Sequence, residues 1–323
     1  MVSRKLLALG TAGAIAFGVA ACGSDDSSST SDSSGTPSGL SGSIKIDGSS
    51  TVQPFTEAAA ELFNKDNPDV DISVGAAGTS GGFEKFCAGE TDISDASRPI
   101  EAPEVKACKD GGVSYGDFQV ANDGISIVTN PSLEISCLST DQLKQLWVDD
   151  KVTNYSQLGN DADTGDPLPD ADVSLYGPGT DSGTFDYFTD VINGEEDLSR
   201  KDYQPSEDDN VLVQGVAGDE NGLGYFGFSY YEQNQDQLNL VSVDSGKGCV
   251  APSDSTIQSG EYAPLSRPLF MYPSTDALKD EATAAFVQFV SDNYDEIAKS
   301  ALIVPMDSGQ GQKSQAAVQK LVG

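Results

Sequence analysis

One pattern recurs three times along this chain and constrains its fold more than any other feature: a short apolar strand, a loop of glycine and hydroxyl residues, then an amphipathic helix. SIKIDGSSTVQPFTEAAAELF (residues 43–63) alternates Ile44 and Ile46, turns through Gly48, Ser49, Ser50 and Thr51, and places Phe55, Ala59, Leu62 and Phe63 on one helical face. Pro54 fits near that helix start, where an N–H has no partner to lose. VDISVGAAGTSGGFEKFCAGE (70–90) runs from Val70, Ile72 and Val74 through GAAGTSGG into a helix carrying Phe83, Phe86 and Cys87. VSLYGPGTDSGTFDYFTDVI (173–192) repeats the unit with Val173 and Leu175, the loop GPGTDSG, and Phe185, Phe188, Val191 and Ile192. Strands alternating with helices in this way predict an α/β fold. Each loop ends at a helix N-terminus, where hydroxyls cap, backbone N–H groups point outward and the dipole favours negative charge. One such loop is an ordinary capped turn; three point to a shared anion site.

The composition removes competing chemistries. There is no histidine among the 323 residues, so Ser-His-Asp and Cys-His catalysis are excluded. Arg4 and Lys5 followed by LLALGTAGAIAFGVAA read as a secretory signal over residues 1–21, and Val19-Ala20-Ala21-Cys22 matches a bacterial lipoprotein box with Cys22 as the lipidated residue. Residues 22–42, nearly all Ser, Gly, Thr and Asp, read as a flexible tether. Without Arg4 and Lys5 the chain keeps 16 basic against 51 acidic residues, a net −35, which excludes nucleic acid as a partner. Such acidity does not exclude an anionic ligand, because charges beyond about 8 Å are screened at physiological salt; the site must be built from local donors. The roughly 280 residues after the tether suffice for two lobes with cores. Cys87, Cys108, Cys137 and Cys249 in an exported chain favour disulfides, with three pairings open. With no CxxC and no histidine, metal binding is not expected.

Three further stretches carry alternatives. Asp181-Ser182-Gly183-Thr184 fits the D-[ST]-G-[ST] pattern of aspartic proteases, and Asp244-Ser245-Gly246 supplies a partial second copy with Lys247 in the last position. Those enzymes are almost wholly β and share one proton between two carboxylates, whereas this chain alternates strands with helices, and Ser182 has no visible general base. NDADTGDPLPDAD (160–172) lacks EF-hand spacing and reads as a solvated loop. In TDISDASRPI (91–100), Arg98 precedes Pro99 in an extended segment, placed either to meet an oxyanion bidentately or to pair an acidic neighbour.

DGSSTVQPF, GTSGGFEKFCAGETDISDASRPI, GPGTDSGTFDYF, GYFGFSYY and LSRPLFMY stand in an order that resembles the phosphate-binding lipoproteins of the phosphate-specific ABC transporter, from about Ser43 to the last helix. The resemblance implies a two-lobed periplasmic binding protein type II fold with the ligand cleft between lobes. Residues 43–119 and 266–323 would form lobe 1 and residues 120–265 lobe 2, with FQVANDGISIVTNP (from Phe118) and LSRPLFMYP (from Leu265) as crossings. With lobes so placed, Cys87–Cys108 and Cys137–Cys249 are the favoured disulfides, since each stays within a lobe. Carried over by motif, the ligand residues are Ser50 and Thr51; Thr79, Ser80 and Gly81; and Ser182, Gly183 and Thr184.

Two departures follow the S-R-P branch of that family. Pro178 stands where better-known members have an arginine, and Ser97 stands where they have the aspartate that accepts the phosphate proton. Ser97 and Arg98 therefore join the expected site, with Arg98 as the charged partner, Arg267 as structural, and Asp47, Asp95 and Asp181 as unranked proton acceptors. The expected function is binding of inorganic phosphate outside the cell membrane and delivery to ABC transporter permease subunits. The protein is expected to be a monomer held at the membrane through Cys22, without cofactor, metal or enzymatic activity. The rivals are another oxyanion, such as sulfate or molybdate, in the same fold, a phosphate scavenger or sensor, and more remotely the aspartic protease. SCLSTDQLKQLW predicts a helix with a Ser139/Gln142 capping box and Leu143, Leu146 and Trp147 in the core. GYFGFSYY predicts a buried strand and turn, and EATAAFVQFVSDNYDEIA a long helix packing on lobe 1.

Overall fold

A computed structural model describes residues 39–180, 182–206 and 208–323. The signal at residues 1–21, Cys22, most of the 22–42 tether and Asp181 lie outside the described residues. Among the described residues no helix is long and apolar enough to cross a membrane.

The three repeated stretches form the units their patterns predict. β1 (Ser41–Gly48) leads into α1 (Gln53–Asn64), β2 (Asp69–Val74) into α2 (Gly78–Cys87), and β6 (Ser174–Pro178) into α5 (Gly183–Phe188). Phe55, Ala59 and Phe63 bury the inner face of α1, and Phe83, Phe86 and Cys87 that of α2. Leu62 is only partly buried at the edge of the same core. Beyond α5 the chain continues as one π-helical turn, Thr189–Asn193, that buries Ile192.

These units hang on one curled, mixed sheet. With β3 (Ile93–Ala96), β4 (Phe118–Thr129), β7 (Gln204–Ser206), β8 (Gly222–Gly227) and β11 (Ser266–Pro273), the order is β2-β1-β3-β11-β4-β8-β6-β7. β1 pairs in parallel with β2 and β3, and β6 pairs in parallel with β7 and β8. β4 joins the two regions: residues 118–124 pair with β11, and residues 125–129 pair with β8. Eleven of its twelve residues are buried, the polar Asn122, Asp123, Ser126 and Thr129 among them.

Two large apolar cores lie on either side of that strand. The first gathers Ile44, Ile46, Phe55, Phe63, Val120, Leu269, Phe286 and Val290. Its last layer is α9 (Glu281–Ser300), whose Phe286 meets Phe63 edge-on at 5.4 Å between centroids. The second gathers Ile127, Leu143, Leu146, Trp147, Phe188, Leu223 and Tyr225. Here α4 (Thr140–Val148) starts at the expected capping box: Gln142 N–H donates to Ser139 Oγ (3.2 Å) and Ser139 N–H to Gln142 Oε1 (2.8 Å). Trp147 is fully buried, with the stacked Phe188 and Tyr225 rings beside it.

The disulfides are Cys87–Cys108, joining α2 to α3 (Ala102–Gly111), and Cys137–Cys249, joining β5 (Cys137–Ser139) to β10 (Cys249–Val250). GYFGFSYY is a strand followed by a short helix, α7 (Phe228–Glu232), rather than by a plain turn. The chain also runs past α9 into α10 (Ser308–Val322), which the sequence pattern did not announce. In the acidic 160–172 loop, Asp161 accepts backbone N–H groups from Ser136, Cys137, Asp163 and Thr164, so its carboxylate organises the loop itself.

Candidate functional site

All three Gly/hydroxyl loops converge on one cavity of about 410 Å³ at the C-terminal ends of their strands. The first loop owes its shape to Gly48, at φ +149°, where a Cβ would stand 2.1 Å from the Asp95 carbonyl oxygen. Ser49 N–H donates to that same oxygen at 2.9 Å. The loop therefore lies against β3, and Ser50 and Thr51 face the cavity.

Asp47, just before this glycine, ties the first loop to the second. Its Oδ1 accepts from Gly48 N–H and Ala77 N–H, both at 2.9 Å, and its Oδ2 from Lys85 Nζ on α2. Burial opposes its charge, but Lys85 and the two N–H groups prevail and hold the carboxyl below its usual value. α2 can approach because Gly82 faces Gly48; a Cβ on Gly82 would sit 2.4 Å from Gly48 Cα. The second loop then presents Gly78, Thr79, Ser80 and Gly81 to the cavity. Ser97 closes this wall, its N–H donating to Thr79 Oγ1 at 3.2 Å and the two hydroxyls lying 3.1 Å apart.

The third unit meets the first across the cavity. Ser182 caps α5, its Oγ accepting from Thr184 N–H at 3.2 Å. Gly183 is pressed against the first loop, where a Cβ would fall 2.4 Å from Ser50 Oγ and 2.5 Å from Thr51 Oγ1. Only glycine permits that approach.

The structure thus brings together Ser50, Thr51, Thr79, Ser80, Gly81, Ser97, Arg98 and Gly183 on one lining. Ser182 and Thr184 stand one step back, at the helix cap. Of the three aspartates raised as proton acceptors, Asp47 is occupied by the loop brace. Asp95 is sealed beneath the first loop with its Oδ2 accepting from Thr56 Oγ1 at 2.6 Å. Neither lines the cavity, and Asp181 lies outside the described residues. Among the described residues the carboxylates that do line it are Asp186, Asp190 and Glu196; Asp186 lies within GPGTDSGTFDYF, whose pattern does not single it out, and the other two lie beyond that motif.

Arg267, expected to be structural, is on the lining. Its Nη2 donates to Thr51 Oγ1 (2.8 Å), its Nη1 to Ser97 Oγ (3.0 Å) and its Nε to Asp123 Oδ2 (3.2 Å). The available signal was a repeat: Ser97-Arg98-Pro99 and Ser266-Arg267-Pro268 are the same tripeptide, and both enter the cavity wall. The second D-S-G copy is elsewhere. Asp244 ends β9 (Asn239–Asp244) and accepts from Gly246 and Gly248 N–H, closing its own hairpin. The Asp244 carboxylate is thus spent on its own hairpin and is not part of the cavity lining. Hydroxyls, backbone N–H groups and guanidinium around a small cavity make an arrangement that holds an anion.

Residues 28–293 match the PBP superfamily domain. The chain is 45% identical over 276 residues to protein SphX of a Synechocystis strain, covering 84% of this chain and 80% of that one. It is 38% identical over 286 residues to the phosphate-binding protein PstS of Staphylococcus saprophyticus, covering 87% and 86%. A crystal structure described as a possible phosphate binding protein from Planctomyces limnophilus superposes with a TM-score of 0.80 at 40% identity, covering 88% of this chain and all of that one. Fold, site and relatives agree: the chain belongs to the PBP superfamily of periplasmic-type substrate-binding proteins.

Proposed function

We propose that this protein binds inorganic phosphate outside the cell membrane and delivers it to an ABC-type importer. The observation that carries the reading is the convergence of the three Gly/hydroxyl loops on one cavity, in a chain 38% identical to a protein named as phosphate-binding. The ligand set is Ser50, Thr51, Thr79, Ser80, Gly81, Ser97 and Gly183, with Ser182 and Thr184 fixing the helix end behind them. Micromolar affinity requires about 8 kcal/mol. Hydrogen bonds to a charged group contribute about 1.5–3 kcal/mol each, so a handful of such donors suffices after association costs. The wall carboxylates Asp186, Asp190 and Glu196 favour an oxyanion that carries a proton to give them. Phosphate carries one near neutral pH and sulfate does not.

In this reading residues 43–119 and 266–323 form one lobe and 120–265 the other. They are joined by β4 and β11 and close on the ligand by bending at those crossings. The protein acts as a binding module and not as an enzyme, works as a monomer, docks on permease subunits and is anchored through a lipid on Cys22. Calorimetric titration with phosphate and sulfate in parallel tests the ligand. Heat from phosphate alone is expected; equal heat from both makes the site a general oxyanion site, and silence from both ends the reading. Release of the Cys22→Ser variant from membranes tests the anchor.

A further inference from the structure

The cavity contains two guanidinium groups in identical Ser-Arg-Pro settings, and their surroundings differ. Arg98 is engaged on every side. Its Nη1 and Nη2 donate to Glu104 Oε2 and Oε1 at 2.9 and 2.8 Å, a forked pair. Nη2 also donates to Ser80 Oγ (2.9 Å), Nη1 to Pro99 O (3.3 Å), and Nε lies 3.6 Å from Glu101 Oε1. Glu104 is itself locked, accepting from Glu101 N–H at 2.8 Å in the capping box of α3. Turning Arg98 to an anion would break the fork and leave the Glu104 carboxylate uncompensated beside a negative ligand.

Arg267 has one carboxylate partner, Asp123, held by a single Nε bond at 3.2 Å. Each of its Nη nitrogens spends one N–H on a hydroxyl, Thr51 or Ser97. A hydroxyl that accepts from a guanidinium keeps its own proton for another acceptor, so Arg267 leaves the Thr51 and Ser97 hydroxyls able to donate, with Thr79 Oγ1 as a neighbouring acceptor for Ser97. Each Nη keeps a second N–H that these bonds do not use. The guanidinium Cζ lies over the Tyr187 ring on α5, 3.6 Å from its centroid, and the Tyr187 hydroxyl donates to Pro264 O. Arg267 therefore touches the first loop, the residue just after β3, and β4 on one side and the third unit on the other.

We propose that Arg267, and not Arg98, is the guanidinium that meets the bound anion, and that its seat on Tyr187 couples anion binding to engagement of α5. This rests on the phosphate reading above. Arg98 is a positioning residue that holds Ser80 and the start of α3. Glu104 is the element that keeps it from the ligand.

The test uses the full-length protein in detergent, titrated with inorganic phosphate by calorimetry as wild type, Arg267→Gln, Arg267→Lys and Arg98→Gln. Arg267→Gln should weaken phosphate at least about 100-fold and Arg267→Lys about 10-fold, since the ammonium keeps charge but not the fork or the stacking. Arg98→Gln should stay within about 5-fold. The chain has four arginines, so their Nε–Hε NMR signals can be followed one by one even where a variant folds poorly. Phosphate should shift the Arg267 signal and leave that of Arg98 in place. Loss of binding in Arg98→Gln with Arg267→Gln unimpaired, or a phosphate shift at Arg98 alone, overturns the assignment. A wild type that binds sulfate but not phosphate refutes the ligand reading instead, and the same four titrations with sulfate then decide between the arginines.

Discussion

The two sides of the cavity are built differently. On the side of the first core, the loops are braced to one another: Asp47 bonds to Ala77 and Lys85, Thr79 to Ser97, and Thr56 to Asp95. That wall keeps its shape through bonds internal to it. The opposite wall is the end of one short helix, α5, capped by Ser182. It meets the first by contact, through Gly183 against Ser50 and Thr51 and through Tyr187 against Arg267. On the closure proposed above, one wall is preformed and the other arrives. Binding should therefore respond to substitutions at the meeting surface, and stability to those within each side.

The largest contrast concerns the disulfides. Cys87–Cys108 spans 21 residues beside the first core, whereas Cys137–Cys249 spans 112 beside the second. Closing a longer loop removes more freedom from the unfolded chain. Replacing Cys137 and Cys249 by Ser should cost about 5 kcal/mol and replacing Cys87 and Cys108 about 3 kcal/mol, read by denaturant unfolding. The reverse order would show that the second side does not depend on long-range closure.

The next concerns the floor of the preformed wall. Asp95 is fully buried, and burial above all, with Asp47 nearby and despite the Thr56 hydrogen bond, pushes its carboxyl up to about 7. A raised carboxyl favours folding below its unfolded value and loses that contribution as pH rises through the folded one. Against Asp95→Asn, wild-type stability should fall by up to about 1.4 kcal/mol per pH unit between about pH 4 and 7. Parallel pH–stability curves for the two proteins would refute the raised carboxyl.

Most of the fold was legible in the sequence because its signals are local. The alternation of Ile44 and Ile46, the Phe83/Phe86 face and the Ser139/Gln142 box all act within a few residues. What escaped depends on partners distant in the chain. α10 is written in Gln, Ser and Gly, and its seat is given by Gly311, where a Cβ would meet the Tyr294 hydroxyl at 2.2 Å. The two S-R-P tripeptides are locally equivalent. What separates them is Glu104 beside one and Thr51, Ser97 and Tyr187 around the other, the last three 80 residues or more away along the chain. Of the wall carboxylates, Asp190 and Glu196 lie beyond GPGTDSGTFDYF, and Asp186 sits within it, where the pattern does not single it out.

The meeting surface gives the sharpest functional test. Gly183→Ala adds one methyl where Ser50 Oγ and Thr51 Oγ1 leave no room. Alanine suits a helical position, so unfolding should be unchanged within about 0.5 kcal/mol, while phosphate binding weakens about 100-fold, roughly 2.7 kcal/mol. Unaltered affinity would mean that the arriving wall can seat itself elsewhere.

The smallest effect separates the cap from the contact. Ser182 supplies an N-cap to α5 through Thr184 N–H and does not line the cavity. Ser182→Ala should cost about 1 kcal/mol of stability. Its effect on phosphate should come only through a less ordered α5, less than about 10-fold and far below that of Gly183→Ala. If Ser182→Ala instead matches Gly183→Ala, the hydroxyl itself reaches the anion. The arriving wall would then bring a donor of its own, and the cap bond to Thr184 would have to exchange for the ligand on closure.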